Sequence, residues 1–202
     1  GVVITKYQHS KGNLPNTRIF EAAHPVPDLN GVAATRAAVE MVKGLTAEDT
    51  VLFLVSGGGS ALFEQPLVPL EVLADVNRQL LACGADITQM NTIRKRLSAV
   101  KGGRFAALCA PAKVLTIALS DVLGDDPAVI ASGPAYPDSS TSAEALEIVK
   151  QYGLKFSGDI LRLLGRETPK TLDNVETVIA GSVRHLCTAA ADVCRTLGYE
   201  PV

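Results

Sequence analysis

The chain has 202 residues, 47% hydrophobic and 20% charged, with 19 Lys and Arg against 21 Asp and Glu for a net charge of −2. That is an ordinary globular composition, long enough to bury roughly 70% of the surface its unfolded chain exposes without help from disulfide or metal. The near-neutral balance, the lack of Trp and the 4% aromatic content argue against a nucleic-acid binder, and no apolar run approaches the ~20 residues of a membrane span.

Taken in chain order, Val2-Val-Ile-Thr5 reads as a buried strand at the very start. Asp28 is placed to cap a helix over 29–43 that stops at Gly44. Val51-Leu-Phe-Leu-Val55, a short apolar run halted by glycines, predicts a buried parallel strand. Pro69 opens a helix ending near Cys83-Gly84, and Asp86 with Gln89 has capping-box spacing for another through Leu97. Val114–Leu119 is a second strand; Thr141 and Glu144 repeat the capping box before a helix to about Tyr152. Val175–Ala180 is a third strand, nearer a sheet edge. Ser182 can cap a last helix to Leu197, and Tyr199–Val202 begins a further strand. Alternating strands and helices favour a three-layer α/β/α sandwich with a mostly parallel sheet. Beginning and stopping inside strands predicts a piece of a longer protein. There is no signal-peptide pattern, and Cys83, Cys109, Cys187 and Cys194 form no CxxC pair. The cysteines read as small buried hydrophobes of a reducing compartment, hence a cytoplasmic protein.

Chemistry is expected where loops leave the strands, since ligands of doubly wound folds bind beyond the strands' carboxyl ends. Ser56-Gly57-Gly58-Gly59-Ser60 follows the 51–55 strand. Its glycines let the backbone approach an anion, although a plain strand-to-helix turn has the same sequence. It lacks the Lys-Ser or Lys-Thr of a P-loop and the third small residue of a dinucleotide fingerprint. Ser120-Asp121-Val-Leu-Gly-Asp125-Asp126 follows the next strand; its three carboxylates fit Mg²⁺ or a general base, or else a solvated acidic turn. In Asn91–Arg104 five cationic side chains accumulate. Residues 91, 94, 95 and 98 share a helix face, with Lys101 and Arg104 a turn later, suited to a polyanion or to simple solvation. His24, stiffened by Pro25 and Pro27, is a candidate acid, base or substrate orienter, or a structural histidine. Ser132, in Ala131-Ser-Gly-Pro134, and the following Pro137-Asp138 make a rigid polar loop on the same face. His9 and His185 have no metal-ligand spacing.

In order and spacing, His24-Pro-Val-Pro-Asp28, Val55–Ala61, Asn91–Arg104, Leu119–Asp126, and Ile130–Pro134 with Pro137-Asp138 resemble the glycerate 2-kinase, or MOFRL, family, long labelled hydroxypyruvate reductases. The resemblance covers essentially the whole chain. It implies a Rossmann-like N-terminal domain, of which residues 1–202 would be most, with the active site in a cleft against a smaller C-terminal domain. It implies transfer of the γ-phosphoryl of ATP to a hydroxyl of D-glycerate, giving 2-phosphoglycerate with a divalent metal. The family's upstream Gly-Lys segment and its C-terminal domain have no counterpart here. Arg96 stands where His is usual, and Val183 where Asn is usual.

The resulting expectations are specific. Ser56, Gly57, Gly58, Gly59, Ser60, His24 and Ser132 bind substrate or phosphate. Arg94, Lys95, Lys101 and Arg104 neutralise the transferring phosphoryl group, Lys95 as a catalytic cation. Asp121, Asp125 and Asp126 hold Mg²⁺, with Asp121 or Asp125 accepting the hydroxyl proton. The partners are D-glycerate and ATP, without nucleic acid or membrane, with a homodimer as the candidate assembly. The competing readings are an NAD(P)H-dependent hydroxypyruvate reductase and a non-catalytic small-anion binding domain.

Overall fold

The computed structural model describes residues 1–201. Its elements are β1 (Val2–Lys6), β2 (Arg18–Ala22), α1 (Leu29–Met41), β3 (Thr50–Val55), α2 (Gly59–Leu62), α3 (Leu70–Ala82) and α4 (Ile87–Arg96). After these come α5 (Arg104–Cys109), β4 (Lys113–Ser120), α6 (Ser142–Gln151), α7 (Gly158–Leu164), β5 (Val175–Ser182) and α8 (Val183–Thr196). The α/β class and the parallel pairing agree with the sequence reading. The strands are divided between two sheets, β1-β2 and β3-β4-β5, with β5 at an edge of the second. Registers join Ile4 to Phe20, Leu54 to Ile117 and Val114 to Val175.

The helix starts follow their caps. Asp28 Oδ1 accepts from Gly31 N at 2.8 Å, and the boxes Asp86/Gln89 and Thr141/Glu144 both close. Helix α1 ends at Met41, two residues before the expected limit, and Gly44 takes φ +75° in the turn beyond. Strand β2 and the short helices α2 and α5 were not anticipated, and α7 was expected only as a second helix between β4 and β5, without bounds. Tyr199–Pro201 form no strand, and Val202 lies outside the described residues.

Two apolar clusters hold these elements. One joins Ala38, Val39 and Val42 to Phe63, Phe105 and Val114, with Val2, Ile4, Val51 and Phe53 against it. Its aromatic centre is Phe53, Phe63 and Phe105, with ring centroids 5.0 to 5.5 Å apart, a spacing that favours tilted and edge-to-face contact. The other packs Leu73, Val76 and Leu80 of α3 on Ile93, Ile148 and Leu164. Of the cysteines only Cys109 is buried; Cys187 is exposed, and Cys83 and Cys194 are half-buried. The helix that carries Cys187 has no buried residue, which corrects the expectation of four core thiols.

The strands share one carboxyl rim. The chain leaving β2 reaches His24, whose ring lies against Gly58 just beyond β3. Ser120 at the end of β4 pairs with Ser182 at the end of β5. The loops singled out from sequence therefore open on one side.

Candidate active site

Gly57 is where two of those loops touch. A methyl group built on it would lie 2.5 Å from Asp121 Oδ2, so the glycine loop and the acidic loop meet with no room for a side chain. One built on Gly58, which has φ +88°, would lie 3.2 Å from the His24 ring. One on Gly59 would lie 2.7 Å from Ala131 Cβ. The three successive glycines thus receive the loop after β2 at His24 and the loop after β4 at both Asp121 and Ala131, and each glycine is required by close approach.

From Gly59 the chain turns into α2, and Ser60 faces the loop after β4. Ser132 Oγ donates to Asn91 Oδ1 at 3.1 Å. Its single proton is then used, so the 3.1 Å contact between the two hydroxyls has Ser60 as donor. Ala131 and Ser132 hold φ of 51° and 62°, and Gly133 continues at 63°. A left-handed turn of this kind costs roughly 1–2 kcal/mol for each side-chain-bearing residue. It persists because its neighbours fix it: Gly102 N donates to Ser132 O at 3.1 Å and Gly103 N to Gly133 O at 2.7 Å.

The basic stretch resolves into distinct parts. Lys101 Nζ is fully buried, donating to Ser60 O at 2.8 Å and Phe63 O at 3.1 Å, with Glu64 Oε2 at 3.5 Å. It ties the glycine loop down from beneath. Burial lowers its pKa, and Glu64 opposes that shift. Lys95 Nζ is 3.1 Å from Asp138 Oδ1, both buried. Asp138 also accepts from Thr168 at 2.8 Å and from the Ser140 hydroxyl. Burial works against its carboxylate, but Lys95 and these hydrogen bonds prevail and its pKa lies below the ordinary range. Arg104 donates to the carbonyls of Lys95 and Ser98. Arg96, where the resembled family has His, is wholly buried and donates to Thr92 O, to Ser140 and to Glu167. These four cations brace the loops with internal partners.

Arg94 differs. Among the described residues its guanidinium makes no hydrogen bond and no ion pair, yet burial lowers its pKa, with Glu64 opposing. It lies one helical turn beyond Asn91 on α4 and close enough to Lys101 to depress that amine's pKa. A half-buried guanidinium with free donors, one turn from the Asn91 that is hydrogen-bonded to Ser132, is suited to a carboxylate or phosphoryl oxygen.

The three aspartates are not gathered. Among the described residues no three His, Cys, Asp or Glu side chains converge on a point that would hold a metal ion. Asp121 faces Gly57, Asp125 sits at φ +55° after Gly124, and Asp126 Oδ1 accepts from Ala128 N at 2.9 Å as a local cap. Sequence reading put Asn91 on the polyanion-facing stripe without seeing that it accepts from Ser132, and passed over Glu64 as the counter-charge of Lys101. Asn91 had a signal in its helical spacing to Arg94, whereas nothing local distinguishes Glu64. Among the described residues no helix is long and apolar enough to cross a membrane.

The chain is similar to known proteins over nearly all of its length. The pattern of the DUF4147 family, a domain of unknown function, matches residues 1–165. D-glycerate 2-kinase of Thermotoga maritima is 51% identical over 202 residues, covering 99% of this chain and 48% of that protein. Human glycerate kinase is 40% identical over 200 residues, covering 93% of this chain and 38% of that protein. A provisionally named hydroxypyruvate reductase of Agrobacterium vitis is 44% identical, covering 91% and 42%. The crystal structure of the Thermotoga maritima glycerate kinase superposes with a TM-score of 0.93 at 52% identity, over 98% of this chain and 48% of that one. The chain therefore spans about half the length or less of these relatives, and it belongs to the DUF4147 family.

Proposed function

We propose that residues 1–202 are most of the Rossmann-like N-terminal half of a cytoplasmic glycerate 2-kinase, which transfers the γ-phosphoryl of ATP to a hydroxyl of D-glycerate. The observation that carries this reading is Arg94, a half-buried cation whose guanidinium has no hydrogen bond or ion pair among the described residues, one helical turn from Asn91, to which Ser132 donates while Ser60 donates to Ser132. Phosphoryl transfer is catalysed mainly by positioning and by charge placed where charge develops. Arg94 would take an anionic oxygen of glycerate or of the transferring group. Ser60 and Ser132 would orient the acceptor, and His24 would wall the site beside Gly58. Lys95, Lys101 and Arg104 would act by holding the loops rather than by touching substrate.

Asp121 is the residue that would hold a Mg²⁺ carried by nucleotide phosphates, since Mg²⁺ usually takes one or two carboxylates together with phosphate oxygens and water. Such an ion would offset phosphate charge at the glycine loop. Asp125 and Asp126 are second candidates from the same loop, and Asp121 or Asp125 would accept the hydroxyl proton.

Hydroxypyruvate reduction is the weaker reading. A dinucleotide site needs the glycine turn open to a pyrophosphate, whereas here the Asp121 carboxylate presses on Gly57 and would repel it. The test is Arg94→Ala in the full-length protein, with ATP-dependent phosphorylation of D-glycerate and hydroxypyruvate-dependent NADH oxidation followed side by side. The expected result is kinase activity in the parent and a loss of ~10²–10³-fold in the variant, the cost of removing one preorganised donor. NADH oxidation without phosphorylation in the parent would overturn the reading.

A further inference from the structure

The segment Glu64–Leu67 runs beside the chain that leaves α4. Ala99 N donates to Gln65 O and Leu67 N to Leu97 O, each at 2.8 Å, and Pro66 pairs with Ser98 in an antiparallel bridge. The Glu64 N–H donates to the hydroxyl of Thr35, on α1, at 3.1 Å. Glu64 is thereby fixed between α1 and the end of α4, and it is 2% exposed. An acidic side chain is almost never buried this far unless it is paired.

Two cations border its carboxylate. Lys101 is wholly buried, and its ammonium has three donors. Two of them reach Ser60 O and Phe63 O at 2.8 and 3.1 Å, which leaves one for Glu64 Oε2 at 3.5 Å. Glu64 Oε1 is equally buried and has no hydrogen-bond partner among the described residues. The second cation is Arg94. A guanidinium carries five N–H donors, and those of Arg94 are unbonded among the described residues. Burial lowers the Arg94 pKa and Glu64 opposes that shift, so carboxylate and guanidinium act on each other across a gap that no hydrogen bond closes. A buried acceptor without a donor is costly, and Arg94 is a neighbour with donors to spare.

Charge points the same way. Lys101 and Arg94 carry two positive charges and Glu64 one negative, so the trio keeps one positive charge where an unpaired charge is expensive. An anionic oxygen arriving at Arg94 balances it. The guanidinium is a planar fork that can offer one edge to a carboxylate and another to a second anion.

We infer that Glu64 is the positioning residue for Arg94: its free Oε1 accepts from one edge of the guanidinium and so turns the other edge toward an anionic oxygen of the substrate. The inference rests on the proposed binding of that oxygen by Arg94. Glu64 does not touch substrate. Its Oε2 faces Lys101, which holds the glycine loop, so one buried carboxylate sets that loop and Arg94 in register.

The test is a double-mutant cycle in the full-length protein. The kcat/KM for ATP-dependent phosphorylation of D-glycerate is measured for the parent, Glu64→Gln, Arg94→Ala and the pair. Glutamine keeps the size of the side chain and removes its charge. Each variant is assayed below its melting temperature, because Lys101 loses its counter-charge and the fold is expected to be less stable. Glu64→Gln is expected to lose about 10–100-fold in the parent, the worth of a hydrogen bond between charged groups. It is expected to lose little further once Arg94 is alanine, because the two side chains act as a unit. An equal loss in both backgrounds would mean that Glu64 acts through Lys101 and the loop alone; it would overturn the inference and leave the role of Arg94 standing. Full activity of Glu64→Gln would overturn it too. An Arg94→Ala variant as active as the parent would remove the role of Arg94 and this inference with it. Where Glu64→Gln does not fold, Glu64→Asp keeps a charge for Lys101 and withdraws the oxygen from Arg94, and the same pattern of losses is expected.

Discussion

Gly57 and Asp121 are in contact although 64 positions separate them, and a methyl group on the glycine would come within 2.5 Å of a carboxylate oxygen. Both follow strands whose carboxyl ends share a rim, and β3 pairs directly with β4. The contact puts an ionised oxygen at the mouth of a glycine turn. It distinguishes this turn from one that binds a bare phosphate.

Gly57→Ala is therefore expected to displace Asp121 and to lower phosphorylation of D-glycerate by the full-length enzyme at least tenfold. Its melting temperature should stay within about 2 °C of the parent, because the loop is at the surface and outside both cores. Asp121→Asn keeps the shape and removes the charge. It is expected to raise the Mg²⁺ concentration needed for half-maximal rate, and an unchanged requirement would refute the role proposed for Asp121.

Asp138 predicts a stability effect with a sign. Its folded pKa lies below its ordinary value of 3.8. The stabilisation it supplies is thus complete above the unfolded aspartate range and is lost as pH falls through the lower, folded value. Asp138→Ala leaves Lys95 and Arg96 buried without their shared carboxylate, a change that typically costs ~3–5 kcal/mol. For a chain of this size that lowers the melting temperature by about 10 °C. The deficit should be full near neutral pH and should shrink on acidification, measured by thermal unfolding across the acid range.

Much of this was legible in the sequence, for identifiable reasons. Asp86, Gln89, Thr141 and Glu144 announce their helices because capping is a local hydrogen-bond pattern. The runs at 51–55 and 114–119 announce parallel strands because both their faces are apolar, but the expected burial holds on one face only, since Leu52, Leu54 and Leu119 are exposed. Strand β2 was missed because Arg18-Ile-Phe-Glu-Ala is short and half polar, and its partner β1 decides its structure. The basic stretch was legible as a feature but not in its division of labour. Lys95, Lys101 and Arg104 look as available as Arg94 until Asp138, Glu64 and the carbonyls of Ser60 and Ser98 are brought to them by tertiary packing. The αL turn at Ala131 and Ser132 has no sequence signature, since neither residue favours positive φ.

The cysteines give a simple check on side-chain placement. Burial pushes the Cys109 thiol up to about 11, whereas Cys187 is exposed on α8. The thiolate is the reactive species, so alkylation of native protein followed by peptide mass mapping should label Cys187 first and leave Cys109 unmodified until the chain unfolds.

Gly59 and Ala131 allow a test by compensation. A methyl group on Gly59 would lie 2.7 Å from Ala131 Cβ and 3.3 Å from Val55 Cγ2. Gly59→Ala should therefore force apart the glycine loop and the Ser132 turn, and with them the Ser60–Ser132–Asn91 hydrogen bonds. Ala131→Gly removes the opposing methyl from a residue that already sits at φ +51°, where glycine is the unstrained choice. Alone it should be near neutral in stability, since relief of αL strain offsets the lost packing. Combined with Gly59→Ala it should restore most of the lost activity, because the two effects share one contact and are not additive. If the double variant is no more active than Gly59→Ala alone, the loops are not held in register by that contact, and the convergence of Ser60 on Ser132 needs another cause.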